Sequence, residues 1–505
     1  MQVIENSKVK EKLYIEKLEN GLTIMVIPKN NTRKKYVIWG INYGSIDNKF
    51  IVPGKQEITE VPNGVAHFLE HKMFEQQDGT NSLDTLTALG VSANAYTTND
   101  HTAYLFECTD NFYEALDELM DYVQNPHFTK ENVEKEKGII GQEIAMYDDY
   151  PDWKVYLNTV KCLYKNNPVN IDITGTKETI SHITKDILYD CYNTFYHPSN
   201  TVMCICGDFV PEKIVEEIKN RIVKKENHGE IKRIYEEEPN EINQKEITEK
   251  MEVSKPIFII GYKDTLPQED MVKRHIALEI ILNIVIGNSS ELYQELYNEE
   301  YLNNPLDLSY EFARTFSFIM LTGQSKDPEH IKQKINEKIE NIKQTGLNEQ
   351  DFERTKKQIY GNYIKEYNDV SEIARMFLAD HFKGINSFDY LEEYTTITKE
   401  YTEQILNQIL KQETQVISII EPKWCRDGAC SILYHERIHQ YFTIHTICRG
   451  VARKILEENF WLRPLHVRVP KCWQKNTPIF VKKSNNKKKT FKKCRKTNKN
   501  SMRKC

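Results

Sequence analysis

Two histidines, His67 and His71, stand four residues apart in the run His67-Phe68-Leu69-Glu70-His71, with Glu70 between them. On an α-helix His71 falls about 40° from His67 and Glu70 about 60° to the other side, so all three share one face while Phe68 and Leu69 turn away. Two imidazoles one turn apart supply half of a tetrahedral zinc site, and a carboxylate on that face can take a proton from water without ligating the metal. The order is the inverse of the His-Glu-x-x-His helix of zinc peptidases. A hydrolytic zinc site needs a third protein ligand and one open position. The segment ENVEKEKGIIGQEIAMY, residues 131–147, offers Glu136 and Glu143, seven apart and so close to one helix face. By residue type alone, the histidine pair also fits a metal-free position, and either glutamate also fits a solvated helix face.

These side chains need a scaffold. The opening LYIEKLENGLTIMVIPK, residues 13–29, alternates apolar residues around Asn20-Gly21, the dipeptide of a two-residue hairpin turn, and a second apolar run follows from Tyr36 to Gly40. Periodicity predicts a helix from Gly64 to Glu75, a strand over Ser92–Cys108, helices over Asn111–Gln124, Lys130–Tyr147 and Thr184–Thr194, and a strand over Thr201–Phe209. Residues 226–250 are rich in Lys, Glu and Asn and are assigned as a linker. Beyond them the order restarts: strand Pro256–Tyr262, helix His275–Tyr297, strand Phe316–Gln324, helices Pro328–Lys343 and Asn348–Glu366. The expected architecture is α+β, with a histidine-bearing half (1–225) and a second, metal-free half (251–421) on the same plan, each a mixed or antiparallel sheet covered by helices.

Composition sets further bounds. The chain has 505 residues, 39% of them hydrophobic and 28% charged, which supports large cores and excludes collagen-like and wholly disordered chains. The longest apolar window, around Ile276 to Ile286, is broken by Glu279 and Asn283 and falls short of a bilayer span. The N-terminal stretch lacks the apolar core and small-residue cleavage site of a secretory signal, from which a cytoplasmic chain is expected. The net charge of −6 hides a break: residues 422–505 hold 22 Lys+Arg against 4 Asp+Glu, leaving the first 421 residues at −24. Cysteine divides at the same place, with five before it and six after, so the acidic part has no disulfide framework.

The motifs in their order carry a resemblance. HFLEHKMFE (67–75), GVSANAYTTNDHTAYLFEC (90–108), VEKEKGIIGQEIAMYDDYPDW (133–153), ITGTKETISHIT (173–184), FYHPSN (195–200) and ICGDF (205–209) resemble the pitrilysin/insulinase family of zinc peptidases, most of all its small bacterial branch, relatives of mitochondrial processing peptidase. The resemblance implies an endopeptidase holding one Zn2+ per chain and cleaving peptides in an enclosed chamber. It implies that His67, His71 and Glu143 ligate the metal, that Glu70 is the base that activates water, and that Glu136 supports the site. Asn94 and Ala95 match the edge-strand segment that pairs with the substrate backbone, although an ordinary strand beside a turn would read the same way.

One departure bears on partners. Complete members of the family carry in their second half an Arg and a Tyr, seven residues apart, that grip the substrate. In ELYQELYNEEYLNNPLDLSYEF, residues 291–312, those positions hold Tyr297 and Asn304, with Tyr301 and Tyr310 nearby. The resemblance therefore implies a dimer, hetero- or homomeric, in which another insulinase-like chain supplies the Arg/Tyr pair. The rival expectation is a catalytically silent assembly subunit.

The basic stretch 422–505 does not fit the family. Its end, KKSNNKKKTFKKCRKTNKNSMRKC, has too few apolar residues to build a core, so disorder is expected. Three accounts compete: an electrostatic arm, a small zinc site from Cys425, Cys430, His435 and His439, or a stretch foreign to the native reading frame. The folded part, at −24, disfavours nucleic acid as a partner.

Overall fold

The computed structural model describes residues 1–226, 229–265 and 270–423; the candidate Cys425/Cys430/His435/His439 group lies outside them. Four strands open the chain, β1 Gln2–Asn6, β2 Glu11–Lys17, β3 Thr23–Pro28 and β4 Lys35–Ile41, followed by the short β5 Lys49–Ile51 and β6 Ile58–Glu60. Helices α1 Val65–Lys72 and α2 Ser82–Ala88 lead into the hairpin β7 Ser92–Thr97 and β8 Thr102–Cys108. Next come α3 Phe112–Gln124, α4 Lys130–Asp148, α5 Pro151–Leu163, α6 Lys177–Ser181, α7 Lys185–Phe195, β9 Thr201–Gly207 and α8 Pro211–Arg221. The second half runs β10 Lys232–Arg233, β11 Glu246–Met251, β12 Ile257–Lys263, α9 Met271–Ile286, α10 Glu291–Asn298, β13 Asp307–Phe312 and β14 Ser317–Gln324. It closes with α11 Pro328–Thr345, α12 Glu349–Glu366, α13 Val370–Phe382, α14 Ser387–Thr396, α15 Lys399–Ile409 and β15 Gln415–Pro422.

Three sheets organise these elements, a seven-stranded one in the order β1-β2-β3-β9-β4-β8-β7, a five-stranded one in the order β11-β15-β12-β14-β13 and a small one in the order β10-β5-β6. From β3 onward the first order matches the second strand for strand. The one parallel pair falls at the same place in each, β3 with β9 and β11 with β15. This is the repeated plan expected from the motif order, with β1 and β2 added at one edge.

Each half also lends a helix to the other. α13 lies on β4 and β9 of the first sheet, where Ile373, Phe377 and Leu378 share a core with Ile38, Val202 and Cys204. α5 lies on β11, β12 and β15, where Val155, Val160 and Leu163 share a core with Ile257, Ile259 and Val416. A glycine admits each visiting helix: Gly40, paired with Val202, and Gly261, paired with Val416. A Cβ on Gly40 would stand 2.6 Å from Leu378 Cδ1, and one on Gly261 2.8 Å from Thr159 Cγ2. The two halves thus share one sheet plan, and their cores interlock in space.

Several elements differ from expectation for local reasons. Ser92–Cys108 is a hairpin, because the polar Thr98-Asn99-Asp100 interrupts the apolar run. His275–Tyr297 is two helices, broken after Gly287, with Ser290 Oγ accepting from Tyr293 N at 3.1 Å to cap the second. The β2–β3 loop spans Leu18–Leu22, with Leu18 N bonded to Leu22 O, a longer turn than two residues. Segment 226–250 carries β10, paired with β5, and most of β11, so it is built into both halves. The apolar run of α9 faces inward, with Ile276, Leu278, Ile280 and Ile281 in the second core.

Candidate metal centre

α1 begins at Gly64, which has a left-handed φ of 93° and lies so close to the 172–175 loop that a Cβ there would stand 2.6 Å from Thr174 O. Only glycine fits that combination of backbone conformation and contact. The helix then runs against β7 and α4. Thr129 starts α4 through a capping box with Asn132, setting the turn from which Glu136 and Glu143 project.

His67, His71 and Glu143 each offer a ligand atom within 4.8 Å of the others, the one such group among the described residues. His67 Nε2 stands 3.7 Å from Glu143 Oε1, and His71 Nε2 stands 3.5 Å from Glu143 Oε2. A tetrahedral zinc with bonds of about 2.0–2.1 Å spaces its ligand atoms roughly 3.4 Å apart, so these side chains fit the ion with little movement. His71 Nδ1 lies 3.1 Å from Glu136 Oε1. A carboxylate on one imidazole nitrogen fixes the ring and leaves the other nitrogen to the metal, the usual outer support of a zinc-binding histidine.

Glu70 is 6% exposed and faces the cluster without joining it. Its Oε2 accepts a 2.6 Å hydrogen bond from Thr97 Oγ1, at the end of β7. Burial pushes the Glu70 carboxyl up to about 7, against the opposing pull of His71 and Thr97. Burial also drives His67 well below its usual range, with the charge of His71 adding to it, so it presents a neutral ring. For His71 burial pushes downward, but the bond to Glu136 and the charges of Glu70, Glu143 and Glu136 outweigh it and hold the ring at about 9. Glu136 is lowered: burial opposes the shift, and His71 and Lys72 overcome it. Glu143 is raised, first by burial and then by Asp172 and Glu136.

Asn94 and Ala95 lie on β7, the edge strand of the first sheet, which pairs with β8 on its inner side and adjoins α1. Two residues of the site escaped sequence reasoning. Thr97 lies two positions beyond Ala95. Lys72 is fully buried against Glu75 and Glu136, whereas a lysine is ordinarily read as exposed. The only signal for it was its place, directly after the paired histidines and three before a glutamate.

Among the described residues, the second half holds no counterpart. Matching α9 to α1 at their left-handed first residues, Asp270 and Gly64, puts Lys273, Ile276 and Ala277 where His67, Glu70 and His71 stand. Tyr297 is 51% exposed on α10, and Asn304 is exposed in the loop after it. Tyr310 is buried and donates to Asp264 Oδ2 at 2.8 Å, while Tyr301 stacks on His330 at 4.2 Å. Both tyrosines therefore have structural contacts.

The family model described as insulinase, peptidase family M16, matches residues 53–177, and that described as the peptidase M16 inactive domain matches residues 182–359. An uncharacterized zinc protease of Bacillus subtilis, YmfH, is 38% identical over 83% of this chain and 99% of its own length. The chain belongs to the insulinase family of peptidases, family M16. Other family relatives include a mitochondrial-processing peptidase subunit beta of Dictyostelium discoideum, 22% identical over 82% of this chain and 90% of its own. Among solved structures, a putative M16-like peptidase from Alicyclobacillus acidocaldarius is 32% identical, with a TM-score of 0.78 over 83% of this chain and all of that one.

Proposed function

We propose that this insulinase-family chain is a zinc-dependent endopeptidase and the zinc-bearing member of a two-chain enzyme. The observation that carries the reading is the convergence of His67, His71 and Glu143 at ligand spacing, with Glu70 beside them as a non-ligating carboxylate. A zinc ion held by those three would supply a Lewis acid that polarises the scissile carbonyl and acidifies water. Glu70 takes the proton of the attacking water at the oxygen that Thr97 leaves free, and later returns it to the leaving amine. In the metal-free protein burial raises its carboxyl to about 7, and bound zinc would lower it from there. Glu136 keeps the His71 ring oriented. The substrate lies along β7 as an added strand, bonded at Asn94 and Ala95 through its main chain, which gives broad sequence tolerance.

The two-chain part rests on what the second half lacks. Tyr297 and Asn304 stand where the family's Arg and Tyr are expected, and Tyr301 and Tyr310 are engaged elsewhere. A second family chain would bring that pair to the substrate. The test is peptide hydrolysis by the full chain alone, with an Arg/Tyr-bearing family chain, and with Glu70→Gln in place of the native protein. Activity that appears on adding the partner and vanishes in the variant is the expected result. Full activity of the chain alone would overturn the pairing, and no hydrolysis in any combination would leave the assembly-subunit reading.

A further inference from the structure

Lys72 ends α1 with none of its side chain exposed. An ammonium wholly removed from water is costly unless carboxylates meet it. Two do: Glu75, one turn further on, and Glu136, whose Oε2 lies 3.7 Å from Lys72 Nζ. The other oxygen of Glu136, Oε1, lies 3.1 Å from His71 Nδ1. This carboxylate is therefore engaged at both oxygens, one by a candidate metal ligand and one by the buried lysine. Engaged at one oxygen only, it could turn about its terminal torsion, which is a soft one. Engaged at both, it keeps Oε1 as the acceptor for Nδ1–H, and His71 keeps Nε2 turned to Glu143 at 3.5 Å. Lys72 also places a positive charge between Glu75 and Glu136, easing the repulsion between those two carboxylates.

We infer that Lys72 is a positioning residue for the metal centre: its buried ammonium holds Glu136 in the orientation that makes His71 present Nε2 to the ion. The inference rests on the zinc reading of the His67/His71/Glu143 group. A lysine that only ties α1 to α4 would be buried in the same way, so the test must read the metal itself.

Zinc affinity of the full chain is measured by competition with a chromophoric chelator, and the visible spectrum is recorded after cobalt substitution. The proteins are the native chain, Lys72→Met, Glu136→Gln and the double variant. Loss of an outer support of a metal ligand weakens binding about 10–100-fold, and that is the loss expected for Lys72→Met, together with shifted cobalt bands. Because Lys72 acts through Glu136, the double variant should bind no more weakly than Glu136→Gln alone. Lys72→Met with native affinity and spectrum but a lowered Tm, or losses that add in full in the double variant, would overturn the inference. If Lys72→Met does not fold, Lys72→Leu, which likewise removes the ammonium and cannot donate to Glu136, is judged by the same criteria. A native chain that binds no zinc would refute the reading of the site itself, a result distinct from native binding that Lys72→Met leaves untouched.

Discussion

Thr97→Val removes one hydroxyl and keeps the shape of the side chain. In the native protein that hydroxyl donates to Glu70 Oε2 at 2.6 Å, a bond to the charged form of the base. Hydrogen bonds to charged groups contribute about 1.5–3 kcal/mol, and 1.36 kcal/mol corresponds to about one unit of pKa. The sign follows from which form is favoured: the bond lowers the Glu70 pKa, so its loss raises it. On the proposed mechanism hydrolysis needs ionised Glu70, so the acid limb of kcat/KM should move to higher pH by about 1–2 units. Bound zinc would draw the limb down in both proteins alike, so the difference between them is the reading. At a pH below both limbs the variant should be about 10- to 100-fold slower, and above both the rates should converge. Thr97→Ser, which restores the hydroxyl, should restore the native limb. The assay is steady-state hydrolysis of a fluorogenic peptide across pH, with zinc content checked on each sample. A pH-independent fall, or an unmoved limb, would refute the assignment of Glu70 as the base oriented by Thr97.

Three further expectations follow from the same geometry. Leu378→Ala truncates a fully buried residue of α13 in the core it shares with the first sheet, so it should cost about 2–5 kcal/mol by urea unfolding. Hydrogen exchange should then quicken in β4 and β9, and unchanged protection there would show that the halves are independent. In the metal-free protein His71 holds its proton up to about 9, so zinc binding at pH 8 should release close to one proton per ion, read by calorimetry in buffers of different ionisation heat. That proton also stabilises the metal-free fold below its unfolded pKa, and the contribution should fade as pH rises through about 9. Gly64→Ala should be strongly destabilising, because it combines a left-handed φ of 93° with a clash at Thr174 O.

The candidate ligand group was legible in sequence because its spacing is helical, although Glu143 entered it as the third ligand only through the family resemblance. His67, Glu70 and His71 share a face by periodicity, and Glu136 and Glu143 repeat at nearly two turns on α4. The repeated plan was legible in part, since the apolar runs of β12 and β14 restart the order of strand and helix seen in the first half, whereas the polar β11 lay in the segment assigned as a linker and β15 was not predicted. The helix exchange was not. α5 and α13 have ordinary amphipathic patterns, which show that a face is buried but not which sheet buries it. Gly40 and Gly261 gave no signal either, since a strand glycine marks a close approach without naming what approaches. Lys72 was missed because its residue type argues for solvent, and only Glu75 and Glu136 in three dimensions explain its burial.

The central claim is that His67, His71 and Glu143 hold a zinc ion beside a base, Glu70, that does not bind it. It is tested most directly by measuring zinc per chain and peptide hydrolysis on the same samples of native protein, Glu70→Gln and Glu143→Gln, each with an Arg/Tyr-bearing partner present. One zinc is expected in the native chain, one zinc without hydrolysis in Glu70→Gln, and loss of both in Glu143→Gln. Hydrolysis that survives in Glu70→Gln, or zinc retained at native affinity in Glu143→Gln, would contradict it.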